Sequence, residues 1–418
     1  MSRAPFAVVL TLAPGVVRTW ISLIGVTGET RLTDGPLMDA LEDGAPFDHV
    51  LAVGTPRAGR DVRGVLEVLT ERLLLAWQVR DAEGTPLATL VPLLAGVPLV
   101  EPSTSAGTTS LSRFALMRPT GSTWLLESGR SPWTATLTAE AAGHIAEGTG
   151  PHELWDLLRL GGLLADSDAG ALPFWEFHDR YFASRSLMDI GPSGGSFRFA
   201  GTRDPEPARV DPPHRDTVIS LPVPAADDVG PGIWDVSERR TTIYDTNDDP
   251  VSLDALGSLL WHTLRVTASS TRDPDVPTSY DTVHRPVPSG GGTHSIGTWL
   301  WCNKVAGVTP GIWWYDPWAH ALRLVSDDPS LAFQRPAPIN GVLVSRFGRL
   351  AWKYERIAYA LALKDSGVIL HALQSSAVAL GLALCPIGGG VGGPLLKALG
   401  LSADEYTPVG EFWIGNPR

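Results

Sequence analysis

Residues 350–367, Leu-Ala-Trp-Lys-Tyr-Glu-Arg-Ile-Ala-Tyr-Ala-Leu-Ala-Leu-Lys-Asp-Ser-Gly, set Lys353 beside Tyr354 at the head of a long apolar run. From Lys364 and Asp365 on to Lys397, only His371 offers a further basic or acidic side chain. A run of that length could span a bilayer. However, Pro386 and the glycines at 388, 389, 390, 392 and 393 interrupt it, and a lipid-exposed span needs unbroken helix. We read it as a core helix, apolar and therefore buried on nearly every side, with a glycine loop after it. Lys353 and Tyr354 then fall just before that helix or in its first turn. A solvated helix start explains such a pair, and so does an acid/base pair held against a cofactor.

The remaining chain narrows the choice. At 418 residues it has room for two or three domains. Its 44% hydrophobic and 19% charged content is that of a globular protein. A net charge of -12 works against phosphate backbones, so nucleic acid is not expected as a partner. The two cysteines, Cys302 and Cys385, match no metal-ligand spacing, so neither structural zinc nor a disulfide framework is expected. The N-terminal run Phe6-Ala-Val-Val-Leu-Thr-Leu-Ala13 is short, lacks a small-residue cleavage site and reads as a first strand. These features predict a cytoplasmic protein with no membrane segment and no metal.

Seven prolines between residues 203 and 231 mark a linker or surface strap. Before it, two similar small units are expected. Residues 1–100 hold the strand Thr19–Gly25, a helix at 35–41 and a helix running into a strand at 63–81. Residues 101–170 hold paired strands about Pro119-Thr120-Gly121 and helices at 138–148 and 150–166. Short strands with a few helices suggest winged-helix-like modules. One irregular α+β domain is the alternative. The segment 171–225 connects them to a domain at 226–418. That domain opens with an amphipathic helix capped by Ser252, followed by strands at 298–305 and 312–316. Trp313 and Trp314 belong to its core.

Three more motifs lie in this last domain. Arg239-Arg240-Thr241 offers guanidinium forks and a hydroxyl that suit phosphate oxygens, although arginine pairs are common on solvated faces. Pro286-Val-Pro-Ser-Gly-Gly-Gly292 would let backbone N–H groups approach a flat or anionic ligand. Pro386-Ile-Gly-Gly-Gly-Val-Gly-Gly393 precedes a helix start, which suits an electron-rich edge. It follows no expected strand, so a Rossmann fold is not expected. The chain contains no GxSxG, HExxH or P-loop motif.

Taken in order, Arg-Arg-Thr, the Ser289-Gly290-Gly291 loop, Trp314-Tyr-Asp-Pro317, Lys353-Tyr354, the long helix and Gly388-Gly389-Gly390 resemble the SagB-type dehydrogenases of the nitroreductase superfamily. Upstream, residues 175–186 resemble that family's stretch before the catalytic domain, and Ile219–Pro224 its entry strand. The resemblance covers about residues 150–418. It implies an α+β nitroreductase-like fold and an intertwined homodimer with FMN at its interface. It also implies oxidation of thiazolines or oxazolines in a ribosomally made peptide, downstream of a cyclodehydratase. The N-terminal units would bind the precursor peptide or the partner enzymes. By motif match, Arg239, Arg240 and Thr241 would hold the FMN phosphate, while Ser289, Gly290, Gly291, Gly388, Gly389 and Gly390 would line the cofactor. Lys353 and Tyr354 match the family's catalytic pair.

The chemistry is coherent with that pair. The azoline Cα–H is acidified by the C=N and the adjacent carbonyl, and a base must remove it. Free tyrosine titrates near ~10, too high for an efficient base, and a neighbouring ammonium stabilises the tyrosinate. Which of the two is the base stays open at this point. Departures from the family pattern are Asp365-Ser-Gly-Val368 in place of Glu-Ala-Gly-His, then His371-Ala372 in place of Gln-Asn. Ile243 also stands where relatives often carry a cation, a role Arg418 would take over. Two rival readings are a flavoenzyme reducing dehydroamino acids and a flavin-poor scaffold of the cyclodehydratase.

Overall fold

The apolar run at the N-terminus does form a strand, β1 (Phe6–Leu12). In the computed structural model the chain divides into two units, Met1–Met188 and Asp189–Arg418. The residues described are 6–14, 16–18, 22–25, 28–31, 35–54, 61–93, 95–102, 107–170, 173–186, 195–227, 230–331, 337–390 and 392–418. Arg3, Gly15 and residues 19–21 of the expected second strand lie outside them.

In the first unit β1 is followed by a small antiparallel sheet, β2 (Val17–Arg18), β3 (Ser22–Gly25) and β4 (Gly28–Arg31). Helices α1 (Gly35–Asp43), α2 (Phe47–Val53) and α3 (Val62–Glu71) come next. Five strands complete the main sheet: β5 (Leu75–Asp81), β6 (Pro86–Pro92), β7 (Ala115–Thr120), β8 (Thr123–Ser128) and β9 (Trp133–Leu137). Pro119-Thr120-Gly121 makes the expected turn between β7 and β8, with Gly121 at φ 62. Helices α4 (Ala139–Glu147), α5 (His152–Leu160) and α6 (Phe177–Ser186) follow. Thr138 caps α4 by accepting the Ala141 N–H.

Residues expected in two separate modules share one antiparallel sheet, ordered β1-β5-β6-β9-β8-β7. The junction is the pairing of β6 with β9, Leu90 opposite Ala135. One core then runs from Leu10 through Leu37, Leu66 and Trp77 to Leu154 and Leu158. The physical reason is that each half alone offers too few strands to cover its apolar face. On α5, Leu154, Trp155, Leu157 and Leu158 are buried, as its amphipathic spacing predicts.

The second unit begins well before residue 226. Its elements are β10 (Val218–Ser220), α7 (Ile233–Arg239), α8 (Leu253–Leu264), β11 (Ala268–Ser270), β12 (Thr282–His284), β13 (Ile296–Cys302), β14 (Gly311–Asp316), β15 (Ala321–Ser326) and β16 (Ile339–Arg346). They continue with α9 (Phe347–Lys353), α10 (Ala358–Ala379), β17 (Ala383–Ile387), α11 (Gly392–Ala398) and β18 (Tyr406–Gly415). Seven strands form one antiparallel sheet, β10-β15-β14-β13-β16-β18-β17. The proline-rich segment is therefore a strap of this unit: β10 pairs with β15, and the Arg215 N–H reaches Leu324 O at 2.7 Å. Prolines in such a segment are tolerated because β10 is an edge strand.

Alternation along the central strands explains why the sheet is covered on both faces. Leu300, Cys302, Trp313, Tyr315, Ile339 and Leu343 enter the core shared with α8 and α10. Their neighbours Trp299, Trp301, Ile312, Trp314, Val342 and Val344 enter a second cluster with Leu395 and Leu396 of α11. Ser252 caps α8 as expected, accepting the Ala255 N–H at 3.1 Å.

Two expectations need correction here, while Lys353 and Tyr354 do fall before the long helix: α9 ends at Lys353, Tyr354 is its C-cap in extended conformation (φ -120, ψ 124), and α10 starts at Ala358. Exposed Glu355 and Arg356 fall in the break. The helix is not buried all round, since Tyr359, Leu363 and Val368 are exposed. Finally, the second glycine loop does follow a strand, because Ala383–Ile387 is β17. Among the described residues no helix is long and apolar enough to cross a membrane.

Candidate functional site

Gly290 and Lys353 are 63 residues apart in the chain, yet the fold brings their neighbourhoods together. A 3-10 turn at Gly290–Gly292 carries Gly291 at φ 62 and Gly292 at φ 65, conformations that favour glycine. Ser289 Oγ closes the loop by accepting the His294 N–H at 2.9 Å. A Cβ added at Gly291 would sit 2.6 Å from both Lys353 Nζ and Tyr354 Oη. The glycine thus leaves a gap facing both polar atoms, too tight for any side chain of its own.

α9 delivers the pair, and Arg349 fixes α9. Its buried guanidinium donates to Thr293 O (2.6 Å), Glu206 O (2.7 Å) and Asp281 O (2.6 Å). Burial, with Arg346 close by, pulls its pKa down to about 10, so it stays a cation at neutral pH. One side chain therefore ties the catalytic candidates to the end of the glycine loop.

Sequence reasoning missed three contributors. Tyr280 Oη donates to Gly291 O at 2.8 Å and receives a hydrogen bond from Lys353 Nζ. Phe197 packs edge-on against Trp352 (5.8 Å between centroids) and near Tyr280 (6.4 Å). Asp365, noted only as a departure from the family pattern, accepts the Gly290 N–H on both carboxylate oxygens (3.0 and 3.1 Å). Burial pushes its carboxyl up to about 6, against the lowering effect of that hydrogen bond. A tyrosine and a phenylalanine in irregular segments give no periodic signal. For Asp365, the signal was a carboxylate in an apolar helix.

Trp352 also forms a wall of a cavity of about 620 Å³, together with Phe199, Arg203, Glu206, Arg346 and Tyr406. Burial raises the Glu206 carboxyl, opposed by Arg346 and Arg349.

The remaining candidates form a second group. Arg239 ends α7 and pairs with Asp235 on the surface. Arg240 and Thr241 are exposed. The next residue, Thr242, accepts a hydrogen bond from Gln374 Nε2 on α10 at 3.1 Å. Ile243 packs on Ala383, Cys385 and Trp413, as does Ile387, which immediately precedes Gly388, Gly389 and Gly390. Ile243, two residues past Thr241, and Ile387, one before Gly388, thus share one small cluster. Arg418 lies nearby, 3.6 Å from Asp245. A Cβ would find open space at Gly388 and Gly389, whereas at Gly390 it would strike the Glu411 carboxylate, which accepts the Gly392 N–H at 2.6 Å. From Asp365 in the first group to Gln374 beside the second, α10 climbs about 14 Å at its usual rise. Among the described residues no group of three or more His, Cys, Asp or Glu side chains could hold a metal.

Residues 237–415 match the Nitroreductase family. The C-terminal unit accordingly carries a nitroreductase-like domain of mixed helices and sheet. No curated protein matches the chain. Similar solved structures include a candidate nitroreductase of Ralstonia eutropha, 20% identical, covering 51% of this chain and 98% of its own, with a TM-score of 0.39. Another, from Anabaena variabilis, is 18% identical over 60% of this chain and 49% of its own, with a TM-score of 0.38. A third is the microcin synthetase McbBCD complex of E. coli with truncated pro-MccB17 bound, 20% identical over 57% of this chain and 86% of its own, with a TM-score of 0.34. At these TM-scores the likenesses are slight.

Proposed function

We propose that this protein is an FMN-dependent dehydrogenase that oxidises thiazoline or oxazoline rings to thiazoles or oxazoles in a ribosomally synthesised peptide. The observation that carries the reading is the meeting of Lys353 and Tyr354 with the Gly290–Gly292 turn. A proton-transfer pair facing a glycine-lined gap is what oxidation beside a flat cofactor requires. The family match over residues 237–415 supports a flavin oxidoreductase independently of that pair.

The residues present fit FMN. Ser289, Gly290 and Gly291 would line the flavin with backbone rather than side chains, and Gly388 and Gly389 leave open space at their loop. Arg239, Arg240 and Thr241 would hold the phosphate, with Arg418 as a further cation. The Glu411 carboxylate beneath Gly390 disfavours an anion there, so that loop suits the flavin edge. When bound, the flavin supplies a two-electron acceptor. The chain's own part is to orient the azoline, to take its Cα proton on the Lys353–Tyr354 pair and to limit water around them.

In the same reading the protein acts as a homodimer in the cytoplasm. The exposed Tyr359, Leu363 and Val368 on α10 support a second copy, which would bring the two separated groups of one chain into a shared site. The N-terminal unit would serve as a winged-helix-like module for the precursor peptide or the cyclodehydratase. The test is to incubate the protein with a thiazoline-containing peptide and follow the loss of two hydrogens by mass. Lys353→Ala and Tyr354→Phe should each slow that loss about 10²–10⁴-fold. Undiminished oxidation by both variants would sink the assignment.

A further inference from the structure

Three aromatic rings surround the Lys353 ammonium. Its Nζ lies 4.6 Å from the Tyr280 ring centroid, 5.2 Å from that of Tyr354 and 5.8 Å from that of Phe197. Ring faces attract a cation within about 6 Å. The same Nζ donates to Tyr280 Oη, whose own proton goes to Gly291 O. A tyrosine hydroxyl has one proton to give. Here that proton is spent on the glycine loop, and the oxygen is turned to the ammonium.

The clamp extends to the backbone. The N–H groups of Ser196 and Phe197 both end on Lys353 O, at 2.9 and 3.1 Å. A Cβ at Gly195 would sit 2.9 Å from that same oxygen. Phe197 itself is held at φ 48, a conformation that is uncommon and costly for a bulky residue. Tyr354 Oη is placed differently. It lies as near the Gly291 position as Lys353 Nζ does, yet it has no hydrogen-bond partner among the described residues.

We propose that Tyr280 is a positioning residue that pins Lys353 as a fixed cation over the glycine loop, leaving Tyr354 to accept the substrate proton. The second half rests on the azoline reading above. In balance, the Cα–H electron pair becomes part of the new ring C=C bond as the proton moves to the Tyr354 oxygen. The FMN of that reading, when bound, would accept the hydride that leaves the neighbouring ring carbon. The proton acceptor is the Tyr354 oxyanion, with the Lys353 ammonium as its counter-charge.

Tyr280→Phe keeps the ring and removes the hydroxyl, and reaction of Lys353 with an amine-selective reagent reads the result directly. Peptide mass spectrometry across the neutral-to-alkaline range would compare Lys353 with the exposed Lys364 and Lys397 in the same chain. Lys353 should react more slowly than those two in the wild type, and about tenfold faster in Tyr280→Phe, the worth of one hydrogen bond to a charged group. If Lys353 reacts like its exposed neighbours in the wild type, or at the same rate in both proteins, the pinning is wrong. A second comparison assigns the roles on a thiazoline-containing peptide. Lys353→Arg keeps a cation and should retain more turnover than Tyr354→Phe, which should lose about 10²–10⁴-fold. The opposite order overturns the assignment of Tyr354. Failure of the wild type to oxidise such a peptide removes the parent reading and the Tyr354 role with it, while the labelling still decides whether Tyr280 pins Lys353.

Discussion

Replacing Asp365 by asparagine should stabilise the protein at neutral pH and do little in acid. Asp365 is 7% exposed, and Gly290 N–H is its hydrogen-bond donor. Burial raises its carboxyl from 3.8 to about 6. Below about pH 4 both folded and unfolded states hold the proton, and the group has no effect on stability. Between about pH 4 and 6 the unfolded chain releases the proton while the folded one retains it, so stability falls as pH rises. Above about 6 the penalty is complete. That rise in pKa corresponds to about 3 kcal/mol, at about 1.36 kcal/mol for each pH unit. Asparagine keeps an acceptor for Gly290 and carries no charge to bury. The rise to about 6 is already net of the Gly290 hydrogen bond to the carboxylate, so nothing further is subtracted. The net expectation is that the Asp365→Asn variant is about 3 kcal/mol more stable than wild type at pH 7–8, with the advantage gone near pH 4. Denaturant unfolding of both full-length proteins across that range is the assay, and the difference between them cancels the other titrating groups. A variant destabilised equally at every pH would refute the reasoning and mark the carboxylate as a net stabiliser of the loop.

Other outcomes follow from the same geometry. Gly291→Ala combines a positive φ with a Cβ 2.6 Å from Lys353 Nζ and Tyr354 Oη; it should cost about 1–3 kcal/mol in thermal unfolding and reduce turnover by more than its stability loss explains. Leu363→Glu, on the exposed face of α10, should weaken a homodimer at least about a hundredfold, because it buries an unpaired charge; an unchanged sedimentation profile at low concentration would exclude that face as the interface. Arg240→Ala should raise the FMN dissociation constant about tenfold or more, the worth of a charge-assisted hydrogen bond to phosphate, measured by flavin fluorescence quenching. Equal affinity would remove Arg240 from the phosphate site.

The sequence shows most clearly what is local and periodic. The Ser252 cap, the turn at Gly121 and the amphipathic α5 follow from residue chemistry within a few positions. Strand β17 was hidden because a short, wholly apolar strand after an apolar helix has no distinguishing period, and Pro386 reads as a breaker. The break between α9 and α10 was hidden for the opposite reason: Glu355 and Arg356 are good helix formers, and tertiary anchoring through Arg349 overrides them. The site was half legible. Lys353, Tyr354 and the glycine loops stood out as motifs. Tyr280, Phe197 and the double acceptance at Asp365 depend on contacts between segments 73 to 157 residues apart, which no local pattern encodes.

The central claim is that a flavin sits on these loops, and the visible spectrum of the purified protein, with the released cofactor identified by mass, tests it most directly. The account predicts a yellow protein with one FMN per chain, or one that takes up added FMN to that ratio. Colourless protein that refuses FMN would contradict it and leave a scaffold for the cyclodehydratase as the reading to pursue.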